Sequence, residues 1–228
     1  MVNEKIVNLN IMLKLIIFDL DGTLLNTIED LANSVNHALA QYNYPQHPVE
    51  AYNFMVGNGV NNLLKRAMPA ELRENQDVHA KIRHEFMKHY TVNSDKLTKP
   101  YDGVVDLLKT LSDKGYLLAV ASNKVHDATV VLVKKYFPEI NFMEVLGQRE
   151  GVPVKPNPII VEDILEKAGV KKTETLYIGD SGVDVSTALN AGVRFVGVLW
   201  GFRPRTELEA QGATEFIEKA EELFDIIQ

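Results

Sequence analysis

The chain of 228 residues contains no cysteine. That excludes a thiol nucleophile, a disulfide framework and any zinc site built on sulfur. It also suits a reducing compartment. Long apolar runs are missing too. Near the start, Ile11-Met12-Leu13 and Leu15-Ile16-Ile17-Phe18 are split by Lys14, and together they fall well short of the ~20 residues a helical membrane span needs. Asp19-Leu20-Asp21 follows them, where a secretion signal would carry small residues and a cleavage site. The expectation is a cytoplasmic protein with no membrane partner. Basic runs are absent as well. Lys65-Arg66, Lys134-Lys135 and Lys171-Lys172 are isolated pairs in a chain of formal net charge -7, so no face is basic enough for nucleic acid. A small anionic ligand stays compatible, because one local cation can override a mildly acidic surface. No repeat or low-complexity segment occurs.

What is present is an ordinary globular composition, 46% hydrophobic and 24% charged, enough apolar surface to offset the entropy of ordering the chain. The length allows one large domain, or a medium one with a smaller companion. Residues 13–18 form a nearly continuous apolar run with β-branched members, the pattern of a strand covered on both faces. Similar runs recur at 116–121, 175–178 and 194–199, with a weaker one at 142–146. Helical patterns lie between most of them. Val104, Leu107, Leu108 and Leu111 share one face, as do Val130, Val133, Tyr136 and Phe137, and a third set from Ile159 to Leu165 ends before Gly169. This alternation predicts an α/β fold with a doubly wound parallel sheet.

Residues 27–93 interrupt it. Ile28, Leu31, Val35, Leu39 and Tyr42 recur at helical spacing, as do Val78, Ile82, Phe86 and Tyr90, and no strand is evident. The expected organisation is a core of residues 1–24 and 98–228 with a helical cap of residues 25–97 inserted into it. The polar stretch before Met12 reads as an extension outside the catalytic fold.

Four segments carry chemistry. Asp19-Leu20-Asp21-Gly22-Thr23-Leu24 follows the first buried strand. In a parallel sheet ligands bind at the carboxyl ends of the strands. Two carboxylates at i and i+2 there can divide the work of attack and proton transfer. Gly22 allows a tight turn that bares N–H groups to an anion. Taken singly, either acid could merely cap the next helix. An EF-hand is excluded, because its sixth position needs Gly and Leu24 occupies it. Ser122-Asn123 follows the second long strand, where a hydroxyl can meet a phosphate or cap a helix. Lys155 sits in the proline-flanked Val154-Lys155-Pro156-Asn157-Pro158, a stiff loop that would hold its ammonium group in place. Gly179-Asp180-Ser181-Gly182-Val183-Asp184 follows another strand. Two further acids at that edge would repel Asp19 and Asp21 unless a cation lay among them, and an all-oxygen set favours Mg²⁺.

In this order the four segments resemble the haloacid dehalogenase superfamily of phosphotransferases, over nearly the whole chain and including the insert, which is similar to that superfamily's small cap. More narrowly, Val56-Gly57-Asn58-Gly59-Val60 and Trp200-Gly201-Phe202-Arg203 resemble the phosphoglycolate phosphatases. Asn26-Thr27 departs from the Asp-Ser of many relatives, at the hinge into the cap. The resemblance implies a Mg²⁺-dependent phosphatase acting on a small phosphorylated metabolite. Asp19 would be the nucleophile that becomes an aspartyl-phosphate, and Asp21 the acid and then the base. Mg²⁺ would be held by the carboxylates of Asp19 and Asp180 and by the main-chain carbonyl of Asp21, with Asp184 behind them. Ser122, Lys155 and the segment of Gly22 and Thr23, with Asn123, would hold the phosphoryl oxygens. Gly57, Asn58, Gly59 and Asn62 are the expected contacts to the rest of the substrate. The six histidines and Trp200 read as surface or packing residues. Two alternatives stay open. One is a phosphomutase of the same superfamily. The other is a non-enzymatic receiver-type phospho-acceptor, which would take one phosphoryl group and stop. The oligomeric state is not legible.

Overall fold

The structure, a computed structural model, describes residues 12–227. The extension expected before Met12 lies outside the described residues. Strand β1 (Leu15–Phe18) is followed by a short β2 (Leu25–Asn26) and by helices α1 (Ile28–Ala40), α2 (Val60–Ala67) and α3 (Gln76–Asn93). Then come β3 (Lys99–Pro100), α4 (Val104–Asp113), β4 (Leu117–Val125), α5 (His126–Tyr136) and β5 (Glu144–Gln148). The remainder is α6 (Ile159–Ala168), β6 (Thr175–Gly179), α7 (Gly182–Ala191), β7 (Arg194–Val198), α8 (Arg205–Ala210), β8 (Phe216–Ile217) and α9 (Leu223–Ile226).

Six strands form one parallel sheet in the order β5-β4-β1-β6-β7-β8. β1 lies inside it, so its four residues are buried on both faces. Side chains alternate between two cores. Ile16 and Phe18 join Val120 and Ile178 against α4 and α5, while Leu15 and Ile17 join Ala119 and Tyr177 against α6 and α7. The doubly wound sheet is the one the alternating pattern predicts. The third helix of that pattern stops at Gly169, whose φ of 65° is the left-handed end suited to glycine.

Three details differ from the sequence reading. β4 runs on to Val125 and so contains Ser122 and Asn123 instead of ending before them. Its register with β5 shifts between Ala121 and Val125. Ser, Asn and Lys are weak strand formers, and the irregularity breaks the period, so the continuation left no pattern to read. β5 lies two residues later than expected. β8 was not foreseen, because two residues carry no periodicity.

The insert between β2 and β3 is wholly helical and has its own core, with Leu31, Val35, Leu39, Leu63, Ile82 and Phe86 buried together. β2 and β3 pair antiparallel, bringing the two ends of the insert side by side. Asp30, buried in the first turn of α1, accepts hydrogen bonds from the N–H groups of Leu97 and Thr98 and from the Thr98 hydroxyl. Among the described residues no helix is long and apolar enough to cross a membrane.

Candidate active site

The carboxyl ends of β1, β4 and β6 converge on one edge of the sheet, and the insert lies over it. Asp19 leaves β1, and its N–H donates to the carbonyl of Ile178 in β6. Asp180 follows β6 directly, and Asp184 lies in the first turn of α7. Oxygens of Asp19, Asp180 and Asp184 fall within 4.8 Å of one another, and all three residues are buried.

Lys155 is 2% exposed and enters this cluster from the loop before α6. Its Nζ lies 2.7 Å from Asp184 Oδ1 and 2.9 Å from Asp19 Oδ1. It also donates to the Tyr177 hydroxyl and to the carbonyl of Ala121. The contact to Asp19 is a charge contact only: Asp19 Oδ1 is buried and receives no well-directed hydrogen bond. Asp184 divides its oxygens. Oδ1 takes Lys155 and the Tyr177 hydroxyl, and Oδ2 takes the N–H and hydroxyl of Ser181. It therefore caps α7 and fixes Lys155 at once.

The acids are electrostatically stressed. Burial pushes the Asp19 carboxyl up to about 7, the charge of Asp184 adds to this, and Lys155 only partly opposes it. Burial, then Asp184 and Asp19, hold Asp180 well above the carboxylate range. Its Oδ2 accepts from the N–H of Phe202 at 2.7 Å, and the Thr23 hydroxyl reaches Oδ1 at 3.4 Å. A hard divalent cation would answer this stress, since every donor is oxygen. Each Asp184 oxygen already takes two donors, whereas each Asp180 oxygen takes one and Asp19 Oδ1 takes none, so Asp19 and Asp180 are the two carboxylates with capacity left. The donor set thus fits such an ion.

Two glycines make the close packing around Asp180. A Cβ on Gly22, whose φ is +92°, would stand 2.3 Å from Asp180 Oδ2. A Cβ on Gly201 would stand 2.3 Å from Asp180 Cβ and 2.5 Å from the Gly22 carbonyl oxygen. Trp200 packs on Tyr101 and donates from Nε1 to the carbonyl of Thr23, which anchors the same turn.

Asp21 points elsewhere. Both its oxygens are held by Lys124 Nζ, at 2.9 and 3.0 Å. That ammonium group also lies 4.9 Å from the centre of the Tyr90 ring of the insert. Burial alone would pull the Lys124 ammonium down, but Asp21 beside it holds it up. Lys124 was not singled out in the sequence, nor was Tyr177. One lysine after a run of polar residues resembles a solvated one, and a tyrosine inside a strand resembles core.

Ser122 is buried and borders the cavity over the acids. The Asn123 side chain is fully engaged: Oδ1 accepts from the Lys155 N–H, and Nδ2 donates to the carbonyls of Lys155 and Gly57. It thus ties the lysine loop and the insert to β4. Gly57 and Gly59 line the cavity beneath the insert, whereas Asn58 and Asn62 are not among the lining residues. Asn58 Oδ1 accepts from Arg66, and its carbonyl accepts from Asn62. Histidines stay outside the cluster: His37 stacks on His89, and His126 accepts from the Gly147 N–H.

This arrangement places a nucleophilic carboxylate, a fixed ammonium group and a candidate cation site at one strand edge, with a second carboxylate beside them. The sequence matches the haloacid dehalogenase-like hydrolase family over residues 16–198, and the chain belongs to that family. It is 34% identical to the phosphoglycolate phosphatase of Mannheimia succiniciproducens, over 85% of this chain and 89% of that one. The phosphoglycolate phosphatase of Haemophilus influenzae is equally similar, at 34% over the same shares. Among solved structures, a predicted phosphoglycolate phosphatase from Haemophilus somnus superposes with a TM-score of 0.88 at 29% identity, covering 95% of this chain and 98% of that one. The protein is thus an enzyme of the phosphoric monoester hydrolase kind, and the receiver alternative is set aside.

Proposed function

We propose that the protein hydrolyses small phosphate monoesters with Mg²⁺, through a phosphoryl group carried transiently on Asp19. The observation that carries this reading is the buried cluster of Asp19, Asp180 and Asp184 threaded by Lys155. A Mg²⁺ ion held by Asp19 and Asp180 would neutralise charge on the phosphoryl oxygens.

The chain's own groups account for the rest. The free Asp19 oxygen attacks phosphorus and the ester P–O bond breaks, leaving an acyl phosphate on Asp19. Asp21 gives a proton to the departing alkoxide, a step in which Lys124 must release one of the two Asp21 oxygens it holds at rest. Asp21 then takes a proton from water, which attacks phosphorus, and orthophosphate leaves with Asp19 regenerated. Lys155, fixed by Asp184, balances the charge of the nucleophile and of the transferred group. Ser122 borders the same space. The N–H groups of Gly22 and Thr23, expected to meet the phosphoryl oxygens, instead donate to the carbonyls of Leu25 and Leu20, because the tight turn closes on itself. The insert, residues 25–97, serves as a cap that limits water and selects the leaving group.

The relatives' names make 2-phosphoglycolate the first ester to try. Phosphate release should require Mg²⁺ and vanish in Asp19→Asn. Equal release by that variant would refute the nucleophile. An isomerised sugar phosphate without released phosphate would make the protein a mutase.

A further inference from the structure

The insert and the sheet edge enclose a cavity of about 310 Å³ that reaches from Asp19 and Asp21 to α3 and α5. Its wall is largely apolar, built by Leu31, Val60, Leu63, Phe86, Met87 and Val131. Val131 is 59% exposed and stands where the cavity opens. The charged side chains that reach it are the acids Asp19, Asp21 and Asp127 and a single lysine, Lys124. Lys124 is already gripped by both oxygens of Asp21. Two arginines lie behind the loop at Gly57, but both are engaged with it: Arg66 donates to the Met55 carbonyl and Asn58 Oδ1, and Arg203 to the Val56 carbonyl.

A carboxylate on the leaving group would therefore meet apolar wall and an excess of acids, with no free cation among the described residues lining the cavity. Burying an unpaired anion is strongly unfavourable. A cavity of ~150 Å³ already accepts benzene, so this one has room for a ring beside the phosphoryl group. We infer that the leaving group is apolar and uncharged: the substrate is the monophosphate of an aromatic or branched aliphatic alcohol. The inference rests on the phosphatase reading above and departs from the two-carbon acid in the relatives' names.

The test compares benzyl phosphate, 2-hydroxyethyl phosphate and 2-phosphoglycolate, all alkyl esters, with Mg²⁺ and Asp19→Asn as control. The expected kcat/KM is about tenfold or more higher for benzyl phosphate than for 2-phosphoglycolate, with the hydroxyethyl ester between them. Met87→Lys, at a half-buried position on α3, should narrow that ratio about tenfold by placing a cation in the wall, while Met87→Leu should keep it. If 2-phosphoglycolate is the better substrate, or all three are equal, and Asp19→Asn is dead, the apolar leaving group is overturned and the phosphatase reading stands. If no ester is cleaved, or Asp19→Asn cleaves as well as wild type, the phosphatase reading fails and takes this inference with it.

Discussion

Lys124→Met tests the pairing on which the proposed acid depends. The Lys124 and Asp21 side chains are only 4% and 11% exposed, with 2.9 Å between Nζ and Oδ1. At an effective dielectric of ~20 their attraction is about 5–6 kcal/mol, most of it offset by the desolvation of both ions. Removing one partner leaves the other charged, buried and alone, at a cost of about 3 kcal/mol, the lower end for broken buried pairs. For a chain of this size that is a fall in Tm of roughly 6–12 °C. Asp21→Asn should cost somewhat less, because a neutral acceptor remains for the ammonium group. The double variant should then recover about 2 kcal/mol relative to the sum of the singles. Urea unfolding of the four proteins measures this directly. In parallel kcat should fall in Lys124→Met, since Asp21 loses what orients it. Two results would refute the reasoning: single variants within about 0.5 kcal/mol of wild type, the range of surface substitutions, or a double variant that equals the sum.

Two further outcomes follow from the acid cluster. In the metal-free protein Asp19 titrates near 7, against 3.8 for an unperturbed carboxyl. The folded state therefore holds its proton more tightly, and the stability this contributes is complete below about pH 4 and lost as the pH rises to about 7. Thermal melts in EDTA should show that loss relative to Asp19→Asn, and Mg²⁺ should restore stability at pH 7 and above; melts parallel to those of Asp19→Asn would contradict the pKa assignment. Gly201→Ala should cost about 1–3 kcal/mol by overpacking and weaken Mg²⁺ binding at least tenfold by displacing Asp180. Calorimetric Mg²⁺ affinity equal to wild type would show that the contact at 2.3 Å is relieved elsewhere.

The sheet was legible because its strands are buried on both faces and read as unbroken apolar runs, and the acids because each pair is local and stands at a strand end. Lys124 was not. Its meaning arises from Asp21, 103 positions earlier in the chain, and no local pattern carries that. Tyr177 was read as core, correctly for its ring, but its hydroxyl belongs to the Lys155 network. Gly201 stood in a segment noted for its resemblance to relatives, yet the reason for glycine there is the approach of Asp180 from another strand. Asn123 shows a different limit. Sequence suggested a phosphate ligand, and the side chain instead joins the lysine loop and the insert to β4. A polar residue at an active edge has neighbours on the protein as well as on the substrate, and only the fold tells how its hydrogen bonds are divided.

The clasp at Asp30 has a bearing on how such enzymes diversify. One carboxylate at the start of α1 seizes the chain where it returns, 68 positions on, so the ends of the excursion are fastened whatever lies between. Closure entropy grows only with the logarithm of length: doubling the enclosed segment costs about 0.6 kcal/mol. With the junction secured, helices can be lengthened, exchanged or added within the loop at little thermodynamic penalty to the sheet below, and a lineage can trial new substrates without rebuilding its chemistry.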